Sequence, residues 1–168
     1  MPFLSLLARL SSRVPRPMAA AVATRIFNAV LRRHPAMFDR LGAHARKRYA
    51  FEPAEFPFAF VVEPARRTLR VLPKGAPTHA HASAAGSLVL LLALLEGRSD
   101  GDAAFFARDL AVSGDMEAML ALRNALDDCG VDLPRDLGAF AGVFGPLLAR
   151  AGDALRARAL GGGGGQWS

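Results

Sequence analysis

The chain predicts an α+β fold of short β-strands interleaved with helices, with extra helices at the N-terminus and room for a groove between sheet and helices. Three observations predict it. Short β-prone runs recur between Phe56 and Val112 and are interleaved with stretches of helical period. The block from Ala104 to Leu126, AFFARDLAVSGDMEAMLALRNAL, leads from two adjacent phenylalanines through a strand to Ser113-Gly114-Asp115 and on into an apolar-faced helix. Hydrophobic residues make up 52% of the 168 residues, enough to fill the core of one domain and to line a cavity as well.

The elements follow in order. Phe3, Leu6, Leu7, Leu10 and Val14 recur at helical spacing and form a narrow apolar stripe, which Pro15 and Pro17 end. A second helix is expected from Met18 to Arg33, with Val22, Ile26, Phe27, Val30 and Leu31 inward. A short helix from Pro35 to Arg46 should bury Met37, Phe38 and Leu41, its proline tolerated in the first turn. Residues 56–62 read as a strand with Phe56, Phe58, Phe60 and Val62 on one face, and residues 68–73 as another with Leu69 and Val71 on one side. Lys74-Gly75-Ala76-Pro77 is a turn. From Thr78 to Ala84, His79, His81 and Ser83 alternate with Ala80, Ala82 and Ala84, a half-buried strand whose small inner side chains leave room for a helix or a ligand. The helix from Leu88 to Glu96 is apolar almost all round and should be buried. After a strand at 110–112, Asp115 is a good N-cap for a helix reaching Asp128, with Met116, Met119, Leu120, Leu122 and Leu126 as its apolar set. A last helical region, 134–160, carries the stripe Leu137, Phe140, Phe144 and Leu148, and the five glycines 161–165 open a flexible tail.

Charge is unevenly spread. Residues 1–50 hold ten Arg or Lys against one acid, Asp39, whereas the remainder is net acidic. Such a basic segment suits anionic lipid, nucleic acid or an acidic partner. Few aromatics are interleaved with its charges, which argues against nucleic acid, and its Leu, Phe and Val at helical spacing suit an amphipathic helix on a membrane surface. Phe3, Leu7, Arg9, Arg13, Arg32 and Arg33 are the membrane-facing candidates. The same helices could instead pack on their own domain. The longest apolar run, Leu88 to Leu95, is far short of the ~20 residues that cross a bilayer. The N-terminus lacks the long apolar core of a secretory signal, while its Arg-rich, acid-poor start leaves a mitochondrial presequence open.

No catalytic constellation stands out. The sequence has no G-x-S-x-G elbow, no H-E-x-x-H pair and no Walker loop. The lone Cys129 excludes an internal disulfide and a multi-cysteine zinc site. His79 and His81 would share a strand face but lack further ligands, so no metal site is expected. Glu52 with Glu55, and Asp100 with Asp102, lie in loops and read as solvated carboxylates. No catalytic residue, metal or cofactor is therefore assigned.

The block 104–126 resembles the sterol carrier protein type 2 (SCP2-like) lipid-binding domain, whose pattern F-F-x-x-x-L-x-[VI]-x-G-[DN] is met by Phe105-Phe106, Leu110, Val112 and Gly114-Asp115. The wider order is His34-Pro35, F-P-F-A-F at 56–60, L-R-V-L at 69–72 and EGRSDGDAAFFARDL at 96–110. It is most like the UbiT group, accessory factors of oxygen-independent ubiquinone biosynthesis. The resemblance implies a small mixed or antiparallel β-sheet covered by helices around an apolar cavity, no catalytic machinery, a polyprenyl quinone intermediate or another lipid as ligand, and hydroxylase partners of the UbiU and UbiV type. It implies a bacterial, cytoplasmic protein, peripheral at the inner membrane, and sets the presequence aside.

Three segments are expected: a basic helical stretch 1–48, an SCP2-like domain 49–160 with its C-terminal helix, and the tail 161–168. From facing and spacing, the cavity lining would draw Phe56, Phe58, Phe60, Leu69 and Val71 from the strands and Leu88, Leu91, Leu92 and Leu95 from the buried helix. Phe105, Phe106, Leu110, Met116, Met119, Leu120 and Val143 would complete it. A general phospholipid or fatty-acyl carrier, and a structural adaptor with a filled core, are the rival readings.

Overall fold

The computed structural model describes residues 15–95 and 109–131. The expected helix at 3–14, the helical region 134–160 and the glycine tail lie outside these residues. So do Phe3, Leu7, Arg9, Arg13, Phe105, Phe106 and Val143.

Helix α1 spans Arg16–Arg33, two residues earlier than expected. Pro17 sits in its first turn, where a missing N–H costs no hydrogen bond, and the Pro15 carbonyl accepts from the N–H groups of Met18 and Ala19. Arg32 and Arg33 occupy the last turn, where the helix dipole favours cations. The apolar side of α1 packs on strand β3 (Thr68–Pro73) and buries Val30, while the Phe27 ring meets Phe38 with centroids 6.2 Å apart.

The regular helix expected over 35–46 does not form. Turns at Pro35–Phe38 run into a 3-10 segment, Asp39–Arg46, broken at Gly42, whose φ of 52° lies in the left-handed region where glycine is unstrained. The expected inward set is nonetheless right: Met37, Phe38 and Leu41 are all buried.

Five strands form one sheet in the order β3-β2-β1-β4-β5. Besides β3 these are β1 (Tyr49–Pro53), β2 (Phe58–Glu63), β4 (Ala82–Gly86) and β5 (Leu110–Gly114). The central pair, β1 and β4, is parallel, and every other neighbouring pair is antiparallel. Strand β3 has the expected limits. Strand β2 starts at Phe58 because Phe56 and Pro57 belong to the turn after β1, the Phe56 N–H donating to the Pro53 carbonyl at 3.3 Å. Strand β4 starts four residues later than expected, because His79 takes a left-handed φ of 49°. His79 and His81 therefore do not share a strand face.

Helix α2 covers Leu88–Leu95 and packs on α3 (Met116–Asp128), β4 and β1. It is not buried all round: Leu90 and Leu91 are buried, while Leu88, Leu92, Leu94 and Leu95 are half-buried. Helix α3 packs on β4 and on the 3-10 segment through Ala118, Met119, Leu122, Ala125 and Leu126. Met116 and Leu120 lie outward, because five apolar positions span a wider arc than one contact can cover.

Candidate functional site

The pairing register places one continuous apolar surface across the sheet. Alternation puts Leu69 and Val71 of β3, Phe58, Phe60 and Val62 of β2, and Tyr49 and Phe51 of β1 on one face. The same face continues through Ala82 and Ala84 of β4 to Leu110 and Val112 of β5. Large side chains thus flank a stripe of two alanines, both buried. The opposite face carries Ala50, Ala59 and Val61, all fully buried, beside Thr68, Arg70, Glu63, Glu52 and Ala85, and Ser83 and Ser113, whose hydroxyls share a hydrogen bond of 2.7 Å.

Among the candidate lining residues, this face holds Phe58, Phe60, Leu69, Val71 and Leu110. Phe58 and Val71 are buried; Phe60, Leu69 and Leu110 are half-buried. Phe56 lies just outside the strand, its ring edge-on to Phe60 at 6.2 Å. Leu88, Leu91, Leu92 and Leu95 fall on α2, and Met119 on the buried side of α3. Met116 and Leu120 are set apart from the others, 59% and 52% exposed. Arg32 and Arg33 are exposed at the end of α1.

Sequence reasoning passed over Phe51 and the whole of β1, although Tyr49 and Phe51 alternate with Ala50 and Glu52. It also passed over Leu90, more deeply buried on α2 than Leu88 or Leu92. Glu55 is not simply solvated: its Oε2 accepts the Leu88 N–H at 2.8 Å, and Ser87 Oγ accepts the Leu90 N–H at 3.3 Å. Two side chains therefore satisfy two of the open donors of the α2 N-terminus.

A polar girdle fixes the end of the sheet where α3 begins. Asp115 caps α3, its Oδ1 accepting the Ala118 N–H at 2.9 Å, as its position in the sequence predicts. Its Oδ2 pairs with the Lys47 ammonium. The hydrogen bond from Lys47, then that from Ala118, hold the carboxyl below its ordinary range. The Asp115 N–H donates to the His81 carbonyl at 2.8 Å, and the Arg48 N–H donates to His81 Nδ1 at 3.0 Å. Gly114, with φ 82°, brings its backbone against His81 so closely that a Cβ would stand 2.3 Å from the carbonyl oxygen. Tyr49, 0% exposed, donates its hydroxyl to the His44 carbonyl at 2.9 Å. Burial, reinforced by the Asp115 carboxylate, pushes its phenol up to about 12.

These polar groups brace the fold. Among the described residues no three His, Cys, Asp or Glu side chains gather as a metal site, and no helix is long and apolar enough to cross a membrane. What the arrangement offers a ligand is apolar surface: a five-strand face with half-buried phenylalanine and leucine, and a leucine-rich helix packed beside it. This is the architecture of a lipid-binding α+β domain.

The sequence profile of the SCP-2 sterol transfer family matches residues 27–127, and the chain belongs to that family, whose members bind and transfer lipids. Among solved structures it is similar to one titled UbiJ-SCP2 ubiquinone synthesis protein, at 21% identity and a TM-score of 0.54, covering 72% of this chain and 99% of that one. It is also similar to the sterol carrier protein domain 2 of Helicoverpa armigera, at 18% identity and a TM-score of 0.40 over 63% of this chain and 88% of that one. Sterol carrier protein 2 from Yarrowia lipolytica, in its apo form, aligns at 12% identity with a TM-score of 0.40 over 62% and 88%. No curated protein sequence matches the chain.

Proposed function

We propose that this chain is a non-enzymatic lipid-binding accessory factor that holds polyprenylated ubiquinone intermediates. It would present them to hydroxylases of the UbiU and UbiV type in oxygen-independent ubiquinone biosynthesis. The observation that carries this reading is the continuous apolar sheet face within a member of a sterol transfer family. The likeness to a ubiquinone synthesis protein and the F-F…L-x-V-x-G-D motif point it toward isoprenoid quinones. In this reading Phe60, Leu69 and Leu92, half-buried on sheet and helix, would meet the oily ligand.

The energetics suit a prenyl tail. Removing ~400 Å² of apolar ligand surface from water yields on the order of 10 kcal/mol before the costs of association. In this reading the exposed Arg32 and Arg33, with the basic residues before them, keep the domain near anionic headgroups, at roughly 1 kcal/mol per well-placed charge. The protein then works in the cytoplasm, peripheral to the inner membrane, and draws its ligand from the bilayer.

Organic extraction of the purified full chain followed by lipid mass spectrometry tests the reading. The expected result is a prenylated quinone precursor, depleted at least fivefold in Phe60→Glu and Leu92→Glu proteins that keep the wild-type circular dichroism. Recovery of phospholipid or fatty acid alone would turn the assignment to a general acyl carrier. Recovery of no lipid would leave the adaptor reading and end this one.

A further inference from the structure

Three large hydrophobic side chains stand out as exposed among the described residues: Met18 at 60%, Met116 at 59% and Leu120 at 52%. They lie on two helices of opposite charge. On α1 the outward positions Met18, Ala21, Arg25, Asn28 and Arg32 recur at three- and four-residue steps, a straight stripe that is apolar at its start and basic at its end. On α3 the stripe through Met116, Leu120, Arg123 and Asp127 is apolar at its start and ends on an exposed acid, with Glu117 beside it. Arg25, Arg32 and Asp127 have no ion-pair partner among the described residues.

The two stripes share a register. Both advance by four, three and four residues, so parallel helices set Ala21 against Met116, Arg25 against Leu120 and Arg32 against Asp127. Met18, one turn earlier, covers the Met116 end, and the Arg25 stem lies along Leu120. From this match of shape and charge we infer that the outward stripe of α3 docks the α1 stripe of a second copy of this chain.

The contact links different surfaces on the two copies, so a two-fold dimer uses it twice, while a single use per copy builds a chain. One helix pair buries less than the ~1,200 Å² of a standard stable interface, so the association is concentration-dependent and salt-sensitive. It requires nothing of the lipid the chain carries.

Sedimentation velocity of the full chain over a concentration series at low salt, without vesicles that would claim the same arginines, tests it. Wild type is expected to self-associate. Arg32→Asp and Asp127→Arg should each weaken the association about five- to tenfold, because an opposite pair becomes a like pair. The double variant should return to within about twofold of wild type. Circular dichroism confirms that each variant stays folded. A monomer at every concentration up to ~0.5 mM would overturn the inference, and so would association that either single reversal leaves unchanged.

Discussion

Tyr49 is the only tyrosine in the chain, and burial makes it a reporter of the folded core. Replacing it with phenylalanine keeps the ring and removes one hydroxyl, which donates to the His44 carbonyl at 2.9 Å. At neutral pH that loss should cost about 1 kcal/mol, the usual net value of a neutral hydrogen bond. Alkaline pH reverses the order. The phenol is raised from the ordinary 10.0 to about 12 in the folded protein, so it stabilises the fold fully below pH 10. That contribution is lost as pH climbs through the folded value, because the unfolded chain ionises first. A two-unit rise corresponds to ~2.7 kcal/mol, or about 2 kcal/mol after allowance for screening by nearby solvent. Wild type and Tyr49→Phe should therefore cross in stability near about pH 11, with the variant ahead by about 1 kcal/mol near pH 12. Other alkaline titrations are common to both proteins and cancel in the difference. Urea unfolding at a series of pH values measures the crossing, and the ultraviolet absorbance of phenolate titrates Tyr49 directly. A phenol that ionises at its ordinary value while the circular dichroism remains native would refute the reasoning, as would parallel stability curves.

Gly114→Ala should lose ~2 kcal/mol or more, a fall of roughly 5 to 10 °C in Tm by calorimetry, since the new Cβ meets the His81 carbonyl at a positive φ. Asp115→Ala should lower Tm at neutral pH and flatten the acid limb of the stability curve. The depressed carboxyl of wild type stabilises the fold above the ordinary carboxylate range and loses that effect as pH falls through its lowered folded value, whereas alanine has nothing to lose. Glu55→Ala should destabilise by about 1 kcal/mol in urea unfolding, with Glu55→Gln retaining most of it, because the amide oxygen can still accept from Leu88.

Local chemistry that the chain advertises within a few residues was legible in its sequence. Strand β3 carries its alternation between two turns, and Asp115 stands where a cap must stand, so both appear as expected. What depends on distant partners was not. Strand β1 is five residues ending in proline, too short to signal alone, and it is a strand because β2 and β4 pair with it on both sides. Glu55 reads as a loop carboxylate until the chain returns more than thirty residues later and places Leu88 beside it. Helix α2 has no polar side to say which leucines face the sheet, so the sequence could nominate Leu88 and Leu92 but not rank Leu90 above them. The apolar sheet face itself was half visible: the phenylalanines of β2 and the alanines of β4 were recognised, while Phe51 between them needed the register.

The parallel seam between β1 and β4 has a consequence for how the molecule assembles. Strands β1, β2 and β3 follow one another as a meander whose ladders close over short connections, whereas Tyr49 meets Ala82 only after the meander and its trailing turn have been laid down. Chain-closure entropy delays such long-range pairing, so the first three strands make a nucleus that the second half of the sheet joins late. Amides of β4 and β5 should then gain protection after those of β1 to β3 during refolding, and be first to exchange in the native state.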